Sequence, residues 1–202
     1  MLYLATFVTG AAVMAFEVLG FRIMAVCFDN RDVINGSLIG AILSALSGGY
    51  YLGGLLADRH PKPALLGALV AAGGLSMEYV PSLALWVSRS VLSDPERTGP
   101  WGPFLGAAIL FAPASFLLGF TPPFVIRLVT TAKKQLGRGA GKVYAISTVG
   151  SIFGTLFTTF YLMPATWVGG HSNAMRITGG ICFLTGVTLM LWRETWPRSA
   201  TR

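Results

Sequence analysis

The stretch "GGLLADRHPKP", Gly53 to Pro63, separates two apolar runs, Val33 to Leu56 and Ala64 to Val87. About 20 helical residues, rising 1.5 Å each, cross the roughly 30 Å of bilayer hydrocarbon. Both runs reach that length, so the charged, proline-containing stretch reads as a tight turn between two antiparallel membrane helices. Four more runs of the same kind flank this pair: Leu2 to Phe28, Pro103 to Val129, Val143 to Thr166 and Ala174 to Trp192. Their connections, "DNRD", "SRSVLSDPERTGPWG", "TTAKKQLGRGAGK" and "VGGHSNAMR", are rich in turn formers and charge. The composition agrees, with 53% hydrophobic residues, 11% charged residues and a mean hydropathy of +0.65. A soluble surface needs more charge than that. The expectation is an all-α integral membrane bundle of six transmembrane helices over 1–192, followed by a short basic cytoplasmic tail, 193–202, with the lipid bilayer as solvent and no separate soluble domain.

The first run is not read as a secretory signal. Its start, "MLYLATF", has no basic residue, Glu17 and Arg22 interrupt the apolar stretch, and Val26 before Cys27 is bulkier than a cleavage site prefers. The net charge of +7 lies in short segments between the apolar runs, which fits topological signals and lipid headgroups and gives no reason to expect nucleic acid. With the N-terminus inside, the inner side carries nine basic residues: Arg59, Lys62, Lys133, Lys134, Arg138, Lys142, Arg193, Arg198 and Arg202. The outer side carries four, Arg31, Arg89, Arg97 and Arg176. Arg22 and Arg127 sit near span ends, where long side chains reach the interface. The charge rule therefore places the chain in the cytoplasmic (inner) membrane with both termini cytoplasmic.

Asp58 is the residue in the opening stretch that topology leaves unexplained, because an acid at a helix C-terminus opposes the macrodipole and calls for a cationic partner. The pattern Gly54-x-x-x-Asp58-Arg59-x-x-Lys62 resembles the signature loop of the major facilitator superfamily, which joins the same two spans. Pro61 stands where that family usually carries glycine. Three further segments are similar to the membrane portion of the fused major-facilitator/spermidine-synthase family: "TGAAVMAFEVLGFRIMAVCF" (Thr9 to Phe28), "LLGFTPPFVIRLV" (Leu117 to Val129) and "LGRGAGKVYAISTVGSIFGTLFTTFYLMP" (Leu136 to Pro164). The resemblance implies half of a major-facilitator fold, in which Asp58, Arg59 and Lys62 link neighbouring helices and help gate the cytoplasmic opening. It also implies a polyamine as the solute class. In that family a soluble aminopropyltransferase-like domain follows the membrane part. The residues after Trp192 are too few for one, so the transferase activity is not carried over.

Small residues recur on two spans. Gly36, Gly40, Ser44 and Gly48 form one line on the second, beside an adjoining line of Ser37, Ala41, Ala45, Gly49 and Gly53. Gly150 and Gly154, beside Ser147, Ser151, Thr155 and Thr159, repeat the theme on the fifth. Such lines let helix backbones approach closely. Their placement suits a three-plus-three internal repeat, although the two halves of the sequence show little direct similarity.

Ionisable groups inside the hydrocarbon mark candidate function. Glu17 lies 15 residues from Leu2 and Glu78 lies 14 from Ala64, so each stands about 20 Å along its helix. The two carboxylates are candidates for one site binding a proton, a small cation or an amine, with Pro81 freeing the carbonyl of Met77 nearby. The structural alternatives are a Glu17–Arg22 pair, and a third helix that ends near Pro81 and leaves Glu78 at the wet interface.

Other chemistry is sparse. His60 and His171 fall in separate loops on opposite sides, and Cys27 and Cys182 have no ligand spacing, so no metal is expected. "GRGAG" (Gly137 to Gly141) follows a basic run and not a strand, and reads as a flexible headgroup-facing turn. Pro122 and Pro123 are expected to kink the fourth span. No nucleophile, base and acid are grouped for hydrolysis, so neither an enzyme nor a cofactor is expected. Two functions remain. One is a half-transporter-like module for a small cation or polyamine that pairs into a homodimer. The other is a non-catalytic structural or accessory subunit in a hetero-complex with other membrane subunits.

Overall fold

The computed structural model describes residues 1–25, 31–90, 101–130, 136–164 and 170–192. The basic tail, 193–202, Cys27 and most of the longer loops lie outside them. The helices are α1 (Leu2–Met24), α2 (Arg31–Arg59), α3 (Pro63–Ser90), α4 (Gly102–Gly119), α5 (Thr121–Val129), α6 (Leu136–Phe157) and α7 (His171–Leu191). A π-helical turn, Thr158–Leu162, continues α6. Among the described residues there is no strand. Together α4 and α5 make one span, so six helical segments are long and apolar enough to cross a membrane. The all-α six-helix class expected from the sequence is what the chain adopts. Its surface is apolar: Tyr51, Leu85, Phe160 and Leu184 are 71%, 61%, 66% and 65% exposed. Water would penalise that surface and lipid does not.

Prolines act as their chemistry dictates. Pro122 and Pro123 have no N–H to offer the carbonyls of Leu118 and Gly119, and the fourth span breaks at Phe120 between α4 and α5. Pro81 costs α3 a single hydrogen bond, and the helix continues to Ser90. Glu78 therefore stands well inside a helix and not at its end. The expectation for "GRGAG" is corrected: Gly137 to Gly141 are the first turns of α6, which begins at Leu136 and not at Val143. Glycine lowers helix propensity by about 1 kcal/mol per residue. A helix that supplies its own backbone partners nevertheless extends beyond the hydrocarbon more readily than an irregular turn, and Arg138 and Lys142 are exposed on its flank.

The spans pack chiefly as three pairs: α1 with α6, α2 with α4, and α3 with α7. Glycine contacts fix their directions. A methyl group on Gly150 would meet the backbone of Phe7, and one on Gly154 the backbone of Ala11, so α1 and α6 run parallel. Gly49 lies against Phe116 and Gly53 against Phe120, so α2 and α4 are also parallel. Gly67 meets Gly186 while Gly74 meets Gly179, so α3 and α7 are antiparallel. These directions are those of six spans alternating across the membrane, with the α1 start and the α7 end on one side.

The pairing repeats itself when each span is replaced by the one three further along. First with fifth becomes fourth with second, and third with sixth becomes itself. The remaining strong contacts, α3 with α4 and α1 with α7, also exchange. The register is kept residue by residue. Gly10 against Ser147 corresponds to Gly119 against Leu46, Gly150 against Phe7 to Gly49 against Phe116, and Gly154 against Ala11 to Gly53 against Phe120. An odd shift reverses the direction of every span, so the two triplets form an inverted repeat.

Burial is unequal. In spans four and one 56% and 50% of the most apolar stretch is buried, but only 33% in span two and 22% in span five, which places α2 and α6 at the periphery. The centre is filled by Phe16, Leu19, Leu38, Ile42 and Phe111, with the Phe16 and Phe111 rings 4.9 Å apart. Hydroxyls inside the spans mostly bond their own helix: Thr6 to the Leu2 carbonyl, Thr9 to Ala5 and Thr178 to Ala174, at 2.9 to 3.0 Å. Ser151 instead donates across the seam to the Gly10 carbonyl at 3.2 Å.

Candidate functional site

The α2–α3 turn is three residues long, and its backbone explains its shape. The His60 N–H donates to the Leu56 carbonyl at 2.8 Å, ending α2, and the Lys62 N–H donates to the His60 carbonyl at 2.7 Å. The Lys62 carbonyl then accepts from Leu65 and Leu66, and Pro63 opens α3 at a position that needs no N–H donor. Asp58 projects from the last turn of α2 and pairs with Arg127 of α5, Nε to Oδ1 at 3.0 Å. The side chains of Arg127 and Asp58 are 49% and 72% exposed, so the pair stabilises by only about 0.2–1 kcal/mol. It ties the end of the second span to the end of the fourth. Arg59 and Lys62 are exposed beside it.

Arg127 was legible in the sequence as a snorkelling residue and not as the partner. The signal was present: it is the basic residue in the last turn of its span, where the helix dipole favours a cation, and Asp58 sits where the dipole demands one. On the same end of the bundle, Tyr3, Thr130, Arg138 and Lys142 line a recess of about 90 Å³. A methyl group on Gly139 would approach Thr130 Oγ1 to 2.6 Å, so glycine there lets the ends of α5 and α6 meet.

The two membrane acids face different neighbours. Glu78 lies along the α3–α7 seam, its carboxylate beside Gly180 and its Cγ beside Gly179. Glu17 points between two other directions on α1, that of Gly10, which meets Ser147 of α6, and that of Gly20, which meets Leu38 of α2 and Phe111 of α4. Both are partly buried. No ion pair joins Glu17 to Arg22, and Arg22 is exposed near the end of α1. Of the small-residue lines on α2, the adjoining one with Gly49 and Gly53 carries the close contact with α4. Gly36 has nothing within 4 Å, Gly40 reaches Phe104 at 3.8 Å, Gly48 touches the Phe116 ring at 3.4 Å, and Ser44 is exposed. Gly150 and Gly154 are both in the α1–α6 seam. Cys182 is a buried free thiol in α7.

Among the described residues no group of three His, Cys, Asp or Glu side chains is placed to hold a metal ion. Compared with family models, with curated proteins and with solved structures, the chain matches none.

Proposed function

We propose that this polytopic membrane protein is a half-transporter-like module of the inner membrane, its Asp58–Arg127 end cytoplasmic, that pairs with a second copy to enclose a path for a small cation. The observation that carries this reading is the direction of Glu17. Helix geometry sets its side chain between the direction that meets α6 and the direction that meets α2 and α4, and since α2 and α6 are the two least buried spans, a second bundle seated across them would enclose it. An ionisable group in hydrocarbon is expensive unless it serves a polar path. The inverted repeat supports a transporter-like module, since such repeats recur within secondary transporters. The resemblance of the Asp58 loop to the facilitator signature makes a polyamine the solute to try first, and the charge rule favours the stated orientation.

The test is reconstitution into liposomes with a panel of labelled amines and monovalent cations. Glu17→Gln abolishes uptake while the protein stays folded, and Glu78→Gln, which changes a side chain on the α3–α7 seam, leaves most of it. Uptake that survives Glu17→Gln removes that acid from the path. The second reading, an accessory subunit, draws on the exposed line of Gly36 and Ser44, which admits close approach by any other membrane helix. Purification in mild detergent separates the two: a homodimer supports transport, and a larger hetero-complex without Glu17-dependent uptake supports the subunit.

A further inference from the structure

Between α1, the end of α6 with its π-helical turn, and α7 runs a cleft of about 310 Å³, walled by Phe7, Ala15, Phe153, Phe157, Ile177 and Ile181. We propose that it binds an uncharged lipophile carrying a carbonyl oxygen, to which the Thr158 hydroxyl donates a hydrogen bond.

Three independent observations lead there. The first is the hydroxyl itself. Thr158 borders the cleft but is fully buried behind its wall, and its Oγ1 has no hydrogen-bond partner, so the hydroxyl reaches a ligand once the side chain turns toward the space. Thr155, one turn earlier, donates to the Ser151 carbonyl at 2.9 Å, as most threonines in these spans do four residues back. Thr158 departs from that habit where the helix changes from α to π, a feature common at functional sites.

The second is the inverted repeat. The register that sets Ala11 opposite Phe120 also sets Ala12 opposite Thr121, Ala15 opposite Phe124, and Thr158 opposite Ala57. In the second triplet the rings of Phe120 and Phe124 are buried at the corresponding positions, and Phe124 is fully enclosed. The first triplet has alanines there, and a space remains. The cleft is therefore a specific departure from a packing solution that the same chain uses elsewhere.

The third is depth and size. Contact between Gly154 and Ala11 puts Thr158 level with Ala15, roughly 20 Å along α1 from Leu2 and roughly 14 Å from Met24. No charged side chain lines the cleft, so a charged or zwitterionic headgroup is excluded at that depth. A phospholipid keeps its ester carbonyls near the interface and offers only hydrocarbon here. A slender or flat molecule fits, since small-ligand pockets begin at about 300 Å³. Phe153 and Phe157, stacked with centroids 5.3 Å apart, and Phe7, 5.7 Å from Phe153, give it an aromatic wall.

Benzophenone, an uncharged aromatic ketone that inserts into C–H bonds under near-ultraviolet light, tests the proposal on the full chain in phosphatidylcholine vesicles. The expected result is saturable labelling of the segments 153–162 and 177–181, competed by a long-chain dialkyl ketone and not by the alkane of the same length. Thr158→Val weakens binding about three- to tenfold, and Thr158→Ser restores it. Ala15→Phe, which copies the Phe124 solution, abolishes the labelling; if that variant fails to fold, Ile181→Trp on the exposed edge of the cleft serves the same purpose. Labelling that does not saturate, that spreads along all lipid-facing helices, that is indifferent to Thr158→Val or to the filling variant, or that joins two copies of the chain through this cleft overturns the proposal.

Discussion

Gly154→Ala probes the α1–α6 seam. The added methyl would lie 2.6 Å from Ala11 Cα and 2.7 Å from its carbonyl carbon, closer still to the carbonyl oxygen, whereas ordinary contact begins at 3.4 Å. All three obstacles are backbone, so no rotamer change relieves them and the helices must part by at least about 0.8 Å. A gap of that size forfeits a quarter to a half of the dispersion attraction across the seam. The same movement carries the Ser151 hydroxyl, now 3.2 Å from the Gly10 carbonyl, out of hydrogen-bonding range, a loss of about 0.6 kcal/mol. With the usual cost of overpacking, about 1–3 kcal/mol, the variant is destabilised by about 2–3 kcal/mol. For a chain of this length each kcal/mol moves the thermal midpoint by about 2–4 °C. Tryptophan fluorescence of the protein heated in dodecyl maltoside should then show a midpoint lower by about 4–12 °C. Gly137→Ala, in the same helix with nothing within 4 Å, should gain up to about 1 kcal/mol from helix propensity. If the two variants shift the midpoint alike, the close backbone approach at Gly154 is wrong.

The remaining expectations concern the charged end and the orientation. A double-mutant cycle on Asp58→Asn and Arg127→Gln should give a coupling of about 0.2–1 kcal/mol that shrinks as salt is raised. The reversed pair, Asp58→Arg with Arg127→Asp, should recover most of it, and a coupling of zero at low salt would remove the pair from the account. A cysteine placed at Lys62 should be shielded from a membrane-impermeant thiol reagent applied to whole cells, while one at Ser172, on the opposite end of the bundle, should react. The opposite labelling pattern would invert the proposed orientation.

The six spans and the broken fourth one were legible because hydropathy and proline chemistry act locally. A run of apolar residues must be helical in lipid, and a residue without an N–H leaves a carbonyl unpaired whatever surrounds it. Asp58 was legible for the same reason, its conflict with the helix dipole being visible in the sequence alone. What was not legible depends on azimuth and on neighbours. Residue counting put Glu17 and Glu78 at equal distances along their helices, but their directions follow from which faces Gly10 and Gly179 press against other backbones. Two lines of small residues on α2 satisfied the same rule equally well, and the backbone of Phe116 and Phe120 on the fourth span, set against Gly49 and Gly53, makes that line the close seam. The glycines of "GRGAG" signalled a turn by propensity, yet helix continuity at the membrane edge outweighs a penalty of about 1 kcal/mol per residue.

The weak similarity between the halves has a physical reason as well. Close helix packing constrains only the few positions where backbones touch, and there the halves agree: Gly150 and Gly154 match Gly49 and Gly53, each pair one turn apart, and Gly67 and Gly74 match Gly179 and Gly186, each pair two turns apart. Everything facing lipid is free to diverge. Chemistry then sits where the halves differ. The register that relates the seams carries Asp58 to Thr159, Arg127 to Val18 and Glu17 to Ile126, so neither the ion pair nor Glu17 has a counterpart. An inverted repeat of glycine seams packs equally well in either orientation across a bilayer. The unmatched residues, a basic end at Arg59, Lys62, Arg127, Arg138 and Lys142 and the acid at Glu17, give the bundle a direction that its packing does not.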